Sequence, residues 1–64
     1  MPYRVTWKFG DGASEAQSFD DESVARQEAV KRSSAYAREY GRCETQLVDG
    51  TGQLYLDHTD IYYG

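Results

Sequence analysis

The sequence has one cysteine, one histidine and one proline, and it contains no long apolar run. Cys43 has no second cysteine with which to form a disulfide, and a lone thiol is ordinary in the reducing cytosol. No segment approaches the roughly 20 apolar residues of a membrane-spanning helix. The start, MPYRVTWKFG, also lacks the apolar stretch of a secretion signal. We therefore expect one soluble domain over residues 1–64, located in the cytoplasm and without a membrane partner.

Motifs for metal binding and catalysis are missing too. The acidic residues do not follow the D-x-D-x-D-G spacing of a calcium loop. His58 lies between Asp57 and Asp60, where a single histidine more often makes a surface hydrogen bond than a catalytic pair. Cys43 would need a nearby cation to act as a nucleophile, and only its sequence neighbour Arg42 offers one. We expect no enzymatic activity, no metal and no cofactor.

The first half of the chain contains patterns for two strands. Residues 3–9, YRVTWKF, alternate aromatic or apolar with polar side chains, as a half-buried strand does. Gly-Asp-Gly at 10–12 predicts a turn, and SEAQSF at 14–19 predicts a weaker antiparallel partner. Trp7 and Phe9 should then lie in the core beneath a helix.

A helix is predicted to follow directly. Asp20 can cap it, because its side chain can accept bonds from free backbone amides of the first turn. Phe19 and Val24 are spaced for a hydrophobic staple across that cap. Gly41 should end the helix after about 20 residues. Its inner stripe is predicted to be Ala25, Ala29, Ser33, Tyr36, Ala37 and Tyr40, with Val30 on the flank.

The last third of the chain predicts a second hairpin. CETQLV at 43–48 and QLYLDH at 53–58 have strand patterns, and Asp-Gly-Thr-Gly at 49–52 is a turn sequence. Residues 59–64 can extend the last strand. The element order β-β-α-β-β predicts an α+β fold, an antiparallel sheet with one helix packed on one face.

Charge is unevenly distributed along the chain. The net charge is +2 over residues 1–8, −5 over 9–23, +3 over 24–42 and −4 over 43–64. Acid can simply keep a small protein in solution. We expect Tyr55, Tyr62 and Tyr63 to be exposed beside the acid. Segregation of acid from base next to exposed tyrosines is instead typical of a protein-binding face. Direct nucleic-acid binding is a minor alternative that only the outer face of the helix could support, since the pI is about 4.7.

A basic, nucleic-acid-binding protein is the partner that this charge pattern predicts. Asp20 already has a structural role as the expected cap, whereas Asp11 and Glu15 have no evident one. Either the acidic face or the basic helix face could make the contact. The residues expected to bind the partner are Asp11, Glu15, Asp21, Glu22, Glu44, Tyr55, Asp57, Asp60, Tyr62 and Tyr63.

The chain resembles small phage-encoded inhibitors, in particular the anti-CRISPR proteins. The resemblance rests on its length, its acidity, its preference for arginine over lysine, and the start MPYRVTWKFGDG leading into a compact domain. The resemblance implies an inhibitor that binds a CRISPR effector complex (Cascade-type) in the bacterial host cell, often by occupying the surface meant for DNA. About 30 Å of duplex carries about 18 charges, and the two acidic segments hold nine carboxylates, so only partial mimicry is expected. We expect a monomer rather than a dimer. The alternative is a cytoplasmic α+β accessory or interaction module with no inhibitory role.

Overall fold

The protein is described by a computed structural model that covers residues 2–63. Its strands are β1 (Tyr3–Phe9), β2 (Ser14–Phe19), β3 (Arg42–Val48) and β4 (Leu54–Ile61). The helix α1 (Glu22–Tyr40) connects β2 to β3. The order β-β-α-β-β is therefore as predicted.

The four strands form one antiparallel sheet in the order β2-β1-β3-β4. β1 is central and pairs with both β2 and β3, while β2 and β4 are the two edges. The predicted extension of the last strand is confirmed through Ile61, and an irregularity in register lies at Leu47 and Val48, where β4 begins. The α+β fold class predicted from the sequence is thus confirmed.

The helix lies on one face of the sheet and covers the alternating apolar residues of β1 and β3. Trp7 and Leu47 are the largest fully buried side chains, and Trp7 donates a hydrogen bond from Nε1 to the carbonyl oxygen of Ala29 at 3.1 Å. Small residues spaced four apart on the helix allow this close approach. The buried apolar residues are Val5, Trp7, Ala25, Ala29, Ala37, Cys43 and Leu47.

The predicted inner stripe of the helix is correct for its small residues and too wide at its aromatic end. Ser33 is buried together with the three alanines of the stripe. Tyr36 is half-buried and packs against the core, whereas Tyr40 is exposed, although its ring stacks on Phe9 with centroids 4.4 Å apart. Val30 is exposed on the flank.

The start of the helix differs from the prediction by one residue. The N-cap is Asp21, whose Oδ1 accepts a hydrogen bond from the backbone N–H of Val24 at 3.2 Å, so the assignment of the cap to Asp20 is wrong. The proposed staple is wrong with it. Phe19 is the last residue of β2, where it pairs with Tyr3, and Val24 is 45% exposed.

The end of the helix is as predicted. Gly41 adopts the left-handed conformation (φ 84°), and its N–H donates to the carbonyl oxygen of Ala37 at 2.7 Å. Glycine enters this region without the steric penalty of a Cβ, so the chain can reverse directly into β3. Gly10 has a different requirement, because a Cβ at that position would lie 2.8 Å from the carbonyl oxygen of Tyr40.

Candidate protein-interaction surface

The fold brings parts of both acidic segments to one end of the molecule and leaves the remaining acidic residues elsewhere. The start of β1, the end of β2, the start of the helix and the β3–β4 turn all lie at one end of the molecule, which we call the helix-start end. Of the predicted contact residues, this end holds Asp21, Glu22 and Tyr55. Asp11 lies at the opposite end, in the β1–β2 turn near the end of the helix.

Tyr55 at the helix-start end is half-buried, so the expectation that it is exposed is wrong. Its ring packs edge-on against Tyr3 with centroids 5.6 Å apart. Hydrogen bonding with the Asp49 carboxylate is the main cause that raises the pKa of the Tyr55 hydroxyl, and the charge of Glu22 adds a smaller contribution. Tyr55 therefore lies beside carboxylates, as predicted, but part of its side chain is buried.

Most carboxylates at this end also have local structural roles. Asp21 caps the helix, and Glu22 pairs with Arg26 across one helical turn at 2.8 Å. In the β3–β4 turn, Asp49 Oδ1 accepts bonds from the Thr51 hydroxyl (2.6 Å), the Thr51 amide (2.8 Å) and the Gln53 amide (3.0 Å). These bonds, led by that from the Thr51 hydroxyl, lower the pKa of Asp49 to about 2. Asp49 thus stays ionised and holds the turn.

Glu15 joins β2 to the helix, so the expectation that it has no structural task is wrong. Its carboxylate accepts a hydrogen bond from the Tyr36 hydroxyl at 2.7 Å and lies 4.0 Å from the guanidinium of Arg32. Arg32 also donates to the Gln17 side chain at 2.7 Å and lies over the Trp7 ring, 5.1 Å from its centroid. The hydrogen bond to Glu15, followed by desolvation, raises the pKa of Tyr36. The Glu15 side chain nevertheless stays 48% exposed, so a partner can contact it beside this network.

Asp11 also has a local task, because its Oδ1 accepts a hydrogen bond from the Ala13 amide at 2.9 Å within the β1–β2 turn. The bond uses one oxygen of an exposed carboxylate and involves no cation. The expectation that Asp11 has no structural role is therefore wrong, but its charge still faces outward.

Asp60 lies on the helix side of β4, where it is half-buried. Its Oδ2 accepts a hydrogen bond from the Ser33 hydroxyl at 2.7 Å and lies 3.0 Å from Nε2 of His58. The carboxylate therefore stands between serine and histidine, so His58 does not contact the hydroxyl that it would have to activate. Ser33 is also fully buried. The three residues connect the helix to β4.

Cys43 is fully buried, and its sulfur lies 3.5 Å from the hydroxyl of Thr45. Such a thiol packs as a small apolar side chain, out of reach of a substrate. Over residues 2–63, no three side chains of His, Cys, Asp or Glu are grouped so that they could hold a metal ion.

The face of the sheet opposite the helix is open, and its charge is mixed. Glu44 lies there 3.5 Å from Arg42, while Asp57 is exposed and has no ion pair among the described residues. A shallow depression of about 250 Å³ is lined by Thr6, Lys8, Glu44 and Gln46. Alternation places no aromatic side chain of the four described strands on this face. It therefore lacks the stacking platform that sheet-binding RNA modules use.

Two of the three tyrosines predicted to contact a partner are exposed, and both lie just beyond the C-terminal end of β4. Tyr62 is 47% exposed and Tyr63 is 90% exposed, and the Arg38 guanidinium lies 5.9 Å from the centroid of the Tyr62 ring. Two residues missed by the sequence reasoning lie on the same strand, Leu54 and Ile61, each 49% exposed. Their apolar character in an edge strand was the available signal, but the strand order was needed to read it.

The predicted contact residues thus form two groups and four separate positions. Asp21, Glu22 and Tyr55 cluster at the helix-start end. Asp57, Tyr62 and Tyr63 follow β4, whereas the other four are separated from both groups or bound inside the fold. Among the described residues, no helix combines the length with the apolar character that crossing a membrane would require. Comparison of the chain with protein-family models, with curated proteins and with solved structures finds no match.

Proposed function

We propose that this protein is a small, non-catalytic inhibitor that binds a basic, nucleic-acid-handling protein in the bacterial cytoplasm and weakens its hold on DNA. A CRISPR effector complex is the class of partner that fits the sequence resemblance. The observation that carries the proposal is the way the fold neutralises its own cations and leaves carboxylates in excess at the surface.

Internal pairing uses most of the positive charge. Among the described residues, Arg26, Lys31, Arg32 and Arg42 each pair with a glutamate. The carboxylates without an ion pair over residues 2–63 are Asp11, Asp20, Asp21, Glu39, Asp49 and Asp57. A surface with this surplus attracts a basic partner and accelerates encounter with it.

The acid can replace DNA only over a short distance. The molecule is 37 Å long, and a duplex of that length carries roughly 22 phosphate charges. The chain has 11 carboxylates in total, and they lie at both ends and on both faces. Partial charge mimicry beside exposed apolar anchors is therefore the mode of binding that we propose, with one molecule of the protein bound as a monomer.

A competition assay tests this function directly. The tagged protein is used to capture proteins from bacterial lysate at low and at high salt, and each captured protein is then tested for DNA binding with and without the inhibitor. We expect to capture a DNA-binding protein, and we expect high salt to reduce the amount captured. Addition of the inhibitor should release DNA from that protein. Captured proteins that keep their DNA at saturating inhibitor would contradict inhibition.

A matched pair of variants tests the role of the unpaired carboxylates. Asp20→Asn with Asp57→Asn removes two charges that have no ion pair, and Glu22→Gln with Glu44→Gln removes two that are paired. We expect the first variant to bind the captured partner more slowly and with a weaker dependence on salt, because unpaired surface charges act mainly on the association rate. An equal decrease of the association rate in both variants would mean that only net charge matters.

A second candidate function is an α+β accessory module without inhibitory activity. The structural roles of Glu15, Asp21, Asp49 and Asp60 favour it, because those carboxylates are explained by the fold alone. Under this alternative, capture would recover a partner whose DNA binding the protein leaves unchanged.

A further inference from the structure

Strand β4 leaves one row of backbone groups open. Among the described strands it is hydrogen-bonded only to β3. The N–H of Tyr62 donates to the carbonyl oxygen of Gly41 at 3.0 Å, so this amide points toward β3. Because amides alternate in direction along an antiparallel strand, those of Asp57, Thr59 and Ile61 point away from the sheet, into the open edge.

The open edge lacks three of the features that usually protect such strands. Lysine, proline and short length are common protections, whereas β4 has eight residues and contains neither lysine nor proline. Exposed apolar side chains stand at its two ends, Leu54 at the start and Ile61 at the finish, followed by Tyr62 and Tyr63. The strand thus presents hydrogen-bonding groups between two apolar anchors.

Building on the proposed function, we infer that β4 is the docking edge and that an extended, lysine- or arginine-bearing segment of the partner pairs with it as a fifth strand. Main-chain hydrogen bonds supply affinity in this mode, and alternate side chains supply selectivity. Residues 43–64 contain no lysine or arginine, and Asp57 projects from the strand without an ion pair among the described residues. A basic segment complements that charge.

A second copy of the chain fits this edge less well. Antiparallel pairing of β4 with itself in the register centred on Asp57 would place the two Asp57 carboxylates opposite each other on the open face of the sheet. Like charges facing each other across strands are destabilising. The acid that attracts a basic segment therefore opposes self-pairing in that register.

The other edge, β2, is a natural internal control. The N–H of Phe9 donates to the carbonyl oxygen of Ala13, so alternation directs the amides of Ser14, Ala16 and Ser18 to the open side of β2. The side chains of these three residues are small, and Glu15 is held by the helix. β2 thus has free amides but no exposed apolar anchors.

Amide hydrogen exchange tests the inference. The full chain is measured alone and with a short peptide in which lysine and valine alternate, and a peptide with glutamate in place of lysine is the control. We expect the lysine peptide to slow exchange of the amides of Asp57, Thr59 and Ile61, and the glutamate peptide to leave it unchanged. Neither peptide should change exchange at the β2 edge. The inference would be overturned if the two edges were protected equally or if no amide were protected. It would also be overturned if inward and outward amides of β4 were protected alike. Protection that rises with protein concentration without peptide would also overturn it, in favour of a second copy.

Two proline variants remove one outward amide from each edge. Thr59→Pro should weaken binding of the lysine peptide by about tenfold, the worth of one hydrogen bond and its strand geometry, whereas Ala16→Pro should leave it unchanged. Equal losses would assign binding to something other than β4. If Thr59→Pro does not fold, Asp57→Lys keeps the backbone intact and should transfer preference from the lysine peptide to the glutamate peptide. Unchanged preference in that variant would overturn the charge selection.

The outcome is separable from that of the proposed function. Peptide docking at β4 by a protein that releases no DNA would refute inhibition and leave the docking edge standing. DNA release that persists in Thr59→Pro would refute the docking edge and leave inhibition standing.

Discussion

Replacement of Trp7 by alanine should remove most of the stability of the fold. The side chain is fully buried, and a buried tryptophan removes about 150–250 Å² from water, or about 4–6 kcal/mol at about 25 cal/mol per Å². Measured truncations of this kind cost about 3–5 kcal/mol. A chain of 64 residues has roughly 3–10 kcal/mol in total. Trp7→Ala should therefore be largely unfolded without denaturant, or should unfold at a low concentration of urea.

Trp7→Phe separates packing from hydrogen bonding. Phenylalanine keeps much of the ring but loses the bond from Nε1 to Ala29. The expected cost is about 1–2 kcal/mol. Urea unfolding followed by far-UV circular dichroism gives both values, and Tyr63→Ala, which alters a 90% exposed ring, is the matched control. A Trp7→Ala variant with the urea midpoint of the parent would refute the assignment of this residue to the core.

Three further predictions concern the turns and the helix cap. Asp21→Ala should lower the free energy of unfolding by about 1 kcal/mol and Asp20→Ala by much less, so similar losses in urea unfolding would contradict the cap assignment. Because bonds led by that from the Thr51 hydroxyl lower the folded pKa of Asp49 to about 2 from 3.8, its contribution is fully present above about pH 4 and is lost as the pH falls through about 2. Thermal melts of the parent and of Asp49→Asn should therefore converge over that range, and a constant difference between them would refute the linkage. Gly10→Ala should destabilise the fold, since its Cβ would meet a backbone oxygen at 2.8 Å, and an unchanged melting temperature would show that the turn can shift.

The fold could be predicted from sequence because its signals are local. The alternation over YRVTWKF, the small-residue stripe of the helix and the left-handed glycine each depend on near neighbours. The cap was misplaced because Asp20 and Asp21 are chemically equivalent candidates. The end of β2 determines which of the two is the cap. β2 continues to Phe19, which pairs with Tyr3, so Asp20 lies in the connection to the helix and Asp21 is the cap.

The candidate surface could be predicted only in part, because charge sums contain no information on long-range partners. Glu15 appeared free in the sequence, yet the residues that engage it, Arg32 and Tyr36, are 17 and 21 positions away. The same holds for Asp60 and Ser33, 27 positions apart. By contrast, the exposure of Tyr62 and Tyr63 was correctly expected from their place beyond the last strand pattern.

The small-residue stripe of the helix allows several alignments on the sheet, and one polar side-chain contact selects among them. Ala25, Ala29, Ser33 and Ala37 repeat every four residues, so sliding the helix by about one turn, 5.4 Å, would place one small side chain where another had been. Apolar contact alone distinguishes these positions poorly. The bond from Trp7 to the Ala29 carbonyl does not distinguish them, because a shift of four residues would bring another backbone carbonyl to the same place. Only Ser33 in the stripe has a hydroxyl, and its bond to Asp60 can form in one alignment alone. The main contribution of this bond is thus to select one alignment from several of similar packing energy, so that the chain reaches a single native state.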